Sequence, residues 1–268
     1  MVHKALAFVR RDFQTQASYR LAMILHVFGM LISIFIFYFI SNVVGPAANS
    51  FLQSYGTDYF HFALVGLAFQ PFVWLSVSSL SAVVQEYQGT GTLEILFLSP
   101  TPILVSLVMS TLWRYCWALL EALFYLLVAT LLFKAQLDWG RILVAGLVVL
   151  LIILANAGIG LVNAGFVLVT KRASPLVQLL SLLTGLLAGL YYPIEVLPGW
   201  LQALGRALPA TYSFEALRRA MLQGATLSQI APDLLALVGF SLVLLPIGLI
   251  SFRYAVRWAK IDGSLAQY

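Results

Sequence analysis

The chain has 268 residues, 62% of them hydrophobic and 9% charged, with a formal net charge of +5. Soluble domains carry about a quarter charged residues, so a water-soluble fold is excluded, and eighteen Phe, twelve Tyr and six Trp exclude a solvated, disordered chain. Fifteen Lys and Arg are too few to coat a phosphate backbone, which sets nucleic acid aside in favour of basic edges on anionic lipid headgroups. The single Cys116 rules out an internal disulfide and a cysteine-based zinc cluster.

Residues 3–19 place Ala5, Leu6, Val9, Phe13 and Ala17 on one side of a 3.6-residue wheel, with Lys4, Arg10, Arg11 and Gln14 opposite. This is the pattern of an amphipathic helix lying in the membrane interface, the alternative being a frayed basic tail on anionic lipid. A transmembrane helix needs about 20 apolar residues. Six stretches qualify, at 21–44, 60–84, 111–133, 142–169, 176–192 and 234–252. The first is too long for a signal-peptide core, and Gly45-Pro46 predicts a turn after it. The expected class is therefore an all-α, multi-pass membrane protein with six transmembrane helices. With both termini in the cytoplasm, nine Lys and Arg fall inside (Lys4, Arg10, Arg11, Arg20, Lys171, Arg172, Arg253, Arg257, Lys260) and five outside (Lys134, Arg141, Arg206, Arg218, Arg219), as the positive-inside rule requires.

The loop after the second span, 86–100, faces the cytoplasm on this topology yet has no Lys or Arg. Its carboxylates, Glu86 and Glu94, suit a protein partner better than lipid headgroups. Gly89 and Gly91 supply a turn, Thr92 is placed to cap a short helix, and Leu93, Ile95, Leu96 and Leu98 give that helix an apolar side. An ordinary interfacial connector is the other reading. Within the third span, Arg114 is expected to snorkel to the boundary. Glu121 lies deeper, and an intramembrane carboxylate must be protonated, partnered or open to water. Asn156 and Asn163 on the fourth span are candidate hydrogen-bond partners for it, and a place in a transport pathway is the alternative.

Gly185 and Gly189 on the fifth span stand at G-x-x-x-G spacing, which serves close helix packing within one subunit or between two. The segment 193–231 is broken by Pro193, Pro198, Gly205 and Pro209 and suits two short re-entrant helices on the outer side. Tyr191, Tyr192, Trp200 and Tyr212 there either line an exit or form an aromatic interface belt.

Two blocks of these residues resemble a known family. Glu86, Gly91-Thr92-Leu93-Glu94, Leu96 and Ser99-Pro100 resemble the E-x-x-x-x-G-T-L-E-x-L-x-x-S-P signature of type 2 ATP-binding-cassette exporter permeases. Pro193, Glu195, Pro198, Trp200 and Leu201, followed by Pro209, Tyr212, Glu215, Arg218 and Gly224, resemble the family's segment before the last span. The extra Gly89-Thr90 makes the first turn richer in glycine than the family pattern. The resemblance implies that 86–100 holds a coupling helix seated in a groove of a cytoplasmic ATPase subunit. It also implies that two permeases and two ATPases assemble, with spans two and five near the dimer axis and 193–231 capping the outer mouth. Transport is then outward, and the amphiphilic pathway suits a small molecule, a lipid or a lipid-linked glycan. No G-x-x-x-x-G-K-[ST] phosphate loop is present, so ATP and Mg belong to the partner, and this chain is expected to be non-catalytic and without a cofactor or metal. A half-size permease of this kind implies a bacterial or archaeal cytoplasmic membrane.

Two other classes compete. An intramembrane enzyme needs convergent catalytic groups, whereas His3, His26 and His61 are scattered and form no H-E-x-x-H pair. His26 reads as an interhelical hydrogen-bond partner. An ion-coupled secondary transporter or channel with no ATPase partner draws support only from Glu121, without a visible inverted repeat.

Overall fold

The computed structural model describes residues 2–172 and 174–261, without the side chains of residues 2–5, 46–50 and 54. Lys4 and Ala5, invoked for the first helix, have side chains outside the described ones. Among the described residues there are ten α-helices and no strand: α1 Val2–Ser18, α2 Arg20–Leu52, α3 Tyr59–Gly89, α4 Leu93–Leu98, α5 Ile103–Phe133, α6 Ile142–Thr170, α7 Pro175–Leu187, α8 Gly199–Arg206, α9 Pro209–Gln223 and α10 Ala231–Ile261.

Local chemistry sets most boundaries. Asp58 caps α3 by accepting from the backbone N–H of His61 at 3.0 Å. Lys134 and Lys171 end α5 and α6 in the left-handed conformation, and Gly224 does the same for α9. Pro175 and Pro209 open α7 and α9, where a missing N–H costs nothing. The turn expected at Gly45-Pro46 does not form, because α2 carries its helical path on to Leu52.

Five helices, α2, α3, α5, α6 and α10, are long and apolar enough to cross a membrane. The fifth predicted span, 176–192, is only a 13-residue helix, about 20 Å long against a hydrocarbon layer of about 30 Å. Its apolar run was read through Gly189, whose φ of +73° turns the chain just past Leu187. Conversely, α3 runs beyond its apolar stretch to Gly89, and α5 begins at Ile103, directly after Pro102.

Helices α2, α3, α5 and α6 alternate in direction and α10 runs parallel to α6, with Gly158 against Gly248 and Gly165 against Ala255, so the bundle has two different ends. One carries α1, α4 and the end of α10; there Gln88 donates to the carbonyls of Val167 and Leu168, both at 3.4 Å, and the Lys260 ammonium lies 5.6 Å from the centre of the Phe97 ring. The other carries α8 and α9; there the Asp138 N–H donates to the Met221 carbonyl at 2.8 Å.

The core centres on α6, which packs between α3 and α10. In lipid there is little hydrophobic drive between helices, so close backbone approach does the work. A methyl group at Gly158 would run into the Leu244 backbone, one at Gly248 into Gly158, and one at Gly160 into the Ser76 carbonyl. These glycines serve packing inside the subunit, as does Gly165 against Ala255.

Candidate functional site

At the α4 end, the segment expected to couple to a partner forms a short helix on a turn. Gly91, at φ +65°, makes that turn, while Gly89 stays inside α3. Thr92 precedes α4 but gives it no side-chain cap; its hydroxyl meets that of Thr90 at 2.7 Å. The apolar residues Leu93, Ile95, Leu96 and Leu98 of α4 do not share one side. At 3.6 residues per turn, Leu93 and Leu96 fall together against the bundle, with Leu93 1% exposed, while Ile95 and Leu98 point away at 68% and 86%. Glu94 is exposed beside them. Ser99 closes the helix, and its hydroxyl accepts from the Thr101 N–H at 3.2 Å, with Pro100 exposed after it.

Glu86 belongs to α3 rather than to the loop, and its carboxylate accepts from Arg114 at 3.1 Å. Arg114 thus has a protein partner where snorkelling to the boundary was expected. Together with α1 these elements enclose a groove of about 790 Å³ that includes Phe8, Arg11, Tyr87, Ile95 and Trp113. Tyr87 ties its walls, bonded to Ser110 at 2.8 Å and receiving Arg11 at 3.4 Å. Helix α1 is seated on α5 by Phe13, whose ring meets Trp113 edge-on at 5.3 Å, and by Gln16, which accepts from the Trp113 indole. Leu6 and Phe13 nevertheless keep more than half of their surface exposed.

Glu121 does not meet either asparagine. Its partner is His26 of α2, at 3.4 Å, so the expectation of an interhelical contact for His26 holds and the asparagine pairing is corrected. Asn156 donates within its own helix to the Ile152 carbonyl at 2.9 Å. Asn163, fully buried, donates to Val77 of α3 at 3.2 Å and accepts from Ser174 at 3.1 Å, which fastens α6 to α3 and to the start of α7. The two asparagines are thereby used in packing and not gathered around the carboxylate.

Gly185 and Gly189 do not share a helix face, since α7 ends between them. Around Gly185 there is open space, beside a shallow recess formed with Gln70, Val73, Trp74 and Val77 of α3. Leu179, Leu182 and Leu186 of α7 are also exposed.

A family model described as ABC-2 type transporter matches residues 3–222, from α1 to α9. The chain belongs to the ABC-2 type transporter family. It is the membrane subunit of such a transporter and a multi-pass membrane protein. No curated protein matches it.

At the α9 end of the ABC-2 subunit, Arg218 was expected at an outer gate, yet it is 2% exposed. It donates to the Leu190 carbonyl at 2.8 Å and the Phe62 carbonyl at 3.2 Å, with its guanidinium 3.5 Å from the centre of the Phe62 ring. Arg218 therefore pins the turn after α7 to α3 and has no free face for a substrate. Beside it, Tyr55 donates to Glu215 at 2.6 Å, Arg219 donates to Glu215 at 2.8 Å, and Arg219 approaches Asp233 at 3.6 Å. Burial, reinforced by the Glu215 carboxylate, raises the pKa of the Tyr55 phenol far above its ordinary value. At the foot of α3, the side-chain bond to His61 holds Asp58 below the usual carboxylate range.

The remaining residues of this segment do not converge. Glu195 borders a polar pocket of about 370 Å³ with Tyr55, Glu215 and Arg219. Trp200 is 68% exposed, Pro198 starts α8 and Pro193 is buried. The Tyr191 ring stacks on Phe37 of α2 at 5.7 Å, Tyr192 donates to the Leu186 carbonyl, and Tyr212 packs on Phe240 of α10. These aromatics form no common lining. The two short helices expected in 193–231 are α8 and α9.

Proposed function

We propose that this ABC-2 subunit is the membrane part of an ATP-driven exporter, working as two copies with two copies of a separate cytoplasmic ATP-binding-cassette ATPase. The observation that carries the reading is α4: a helix anchored by Leu93 at the bundle's end, offering Glu94, Ile95 and Leu98 outward, between the two spans it must move. ABC-2 membrane domains in general work with a cassette ATPase, and α4 has the size and surface of the segment that engages one. ATP and Mg would be held by that partner, with no cofactor in this chain.

The α4 end lies in the cytoplasm on this reading, with both termini inside a cytoplasmic membrane and α1 resting Leu6 and Phe13 in its lipid. The sixth crossing is α7, extended by the turn at Gly189 and capped by α8 and α9. The exposed α7 surface beside α3 is the face toward the second copy, which agrees with the open space at Gly185. The substrate is an amphiphile, a class that includes lipids and lipid-linked glycans. An ion-coupled carrier is the second reading, on the Glu121 and His26 contact.

Purifying the tagged chain in mild detergent tests the proposal. A complex of two permeases and two ATPases with ATP-dependent transport is expected, whereas a chain that purifies without an ATPase and transports without ATP overturns it. Glu94→Arg is expected to cut co-purified ATPase by more than half or abolish coupled transport. Unchanged transport in that variant removes α4 from the coupling role.

A further inference from the structure

Glu121 itself has no part in the coupling or the dimer reading, and its recess borders the α3 and α7 surface given to the second copy. Trp113, Trp117 and Glu121 follow one another at four-residue spacing along one face of α5. Gln70 and Trp74 of α3, Ser181 of α7 and Gln16 of α1 complete the wall of an open recess of about 660 Å³. The Trp113 and Trp117 rings lie 6.4 Å apart, and the His26 ring lies 6.0 Å from Trp117.

Glu121 is the one carboxylate lining this recess, and its basic contact is a histidine. Arg114 reaches its edge, but two helical turns, about 10 Å, separate it from Glu121, and its guanidinium is already engaged by Glu86. His26 of α2 touches Glu121 at 3.4 Å through a single ring nitrogen, and the Tyr125 phenol lies one turn further along α5. A carboxylate has two oxygens and about four acceptor positions, and in a membrane it is retained at considerable cost. Indole faces attract cations, and several of them around one carboxylate form the type of cage that recognises organic ammonium groups.

We propose that this recess binds a lipophilic organic cation, with Glu121 as the countercharge and Trp74, Trp113 and Trp117 as its aromatic wall. Depth favours a free molecule over a resident phospholipid amine. Glu121 lies about 10 Å further along α5 than Arg114, which pairs with Glu86 at the α4 end, whereas headgroups stay at the surface of the hydrocarbon layer. The proposal deepens the exporter reading by naming a substrate class, and rests on that reading only for the cation being carried outward.

The test uses the full-length chain in lipid nanodiscs, with empty discs as the partition control. Radiolabelled tetraphenylphosphonium is the probe, and tetraphenylborate is the competitor of like size and opposite charge. Saturable tetraphenylphosphonium binding is expected, with Glu121→Gln weakening it about tenfold or more and Trp117→Ala several-fold. His26→Gln, which leaves the carboxylate in place, should retain binding, and tetraphenylborate should not compete. Unchanged affinity in Glu121→Gln, or equal competition by tetraphenylborate, overturns the proposal. Should Glu121→Gln fail to fold, Trp117→Ala and the borate competition decide. A chain that binds the cation but recruits no ATPase fails the exporter reading alone; an ATPase-bound complex without cation binding fails this one alone.

Discussion

The two ends of the bundle spend their polar and apolar groups in opposite ways. At the α9 end, Arg218, Tyr55, Glu215, Arg219 and Asp233 are drawn into one network, and the most costly cation is satisfied by two backbone carbonyls. At the α4 end, Glu94 stays in the open beside two large exposed aliphatic residues. On the proposed function these exposed side chains belong to the surface that the ATPase covers. One end is then finished within the subunit and the other by the ATPase.

The comparison predicts effects of different kind and size. Arg218→Ala leaves the buried Leu190 carbonyl without its donor and empties the space over Phe62, so a loss of about 3–5 kcal/mol is expected, read as collapse of the folded fraction in detergent thermal unfolding. Tyr55→Phe removes one hydrogen bond to a carboxylate, with an expected cost of about 1.5–2 kcal/mol in the same assay. The paired change Ile95→Ser and Leu98→Ser should move stability least, by under about 0.5 kcal/mol, while lowering ATPase recovery. A stability loss at α4 equal to that of Arg218→Ala would erase the distinction between the ends.

Much of this architecture is legible from composition and period. Five of the six predicted spans match long apolar helices, because a run of about 20 apolar residues has few alternatives in lipid. The helix of α7 is shorter than its apolar run because hydropathy counts Gly189 as neutral, whereas the helix stops at Leu187 and the positive φ of Gly189 turns the chain. Glu86 was read as loop because α3 outlasts its apolar stretch. Its link to Arg114, 28 positions away, is set by tertiary packing that no local pattern encodes. The same holds for Glu121 and His26, from different helices. The Trp113, Trp117 and Glu121 series is legible at four-residue spacing, but the α3 and α7 walls that make it a recess come only from packing. Arg218 was singled out by its motif, but a sequence does not say whether a conspicuous arginine faces a pathway or is buried in the frame.

The contact of Gly158 with Gly248 and Leu244 has a bearing on biosynthesis. Helix α10 lies beyond the region matched by the family model, yet it closes the central helix α6 on the face where neither tolerates a side chain. Residues 171–230 separate the two helices along the chain, so that notched face of α6 is synthesised well before its mate. Insertion of α10 must therefore fill a slot that fits only a backbone.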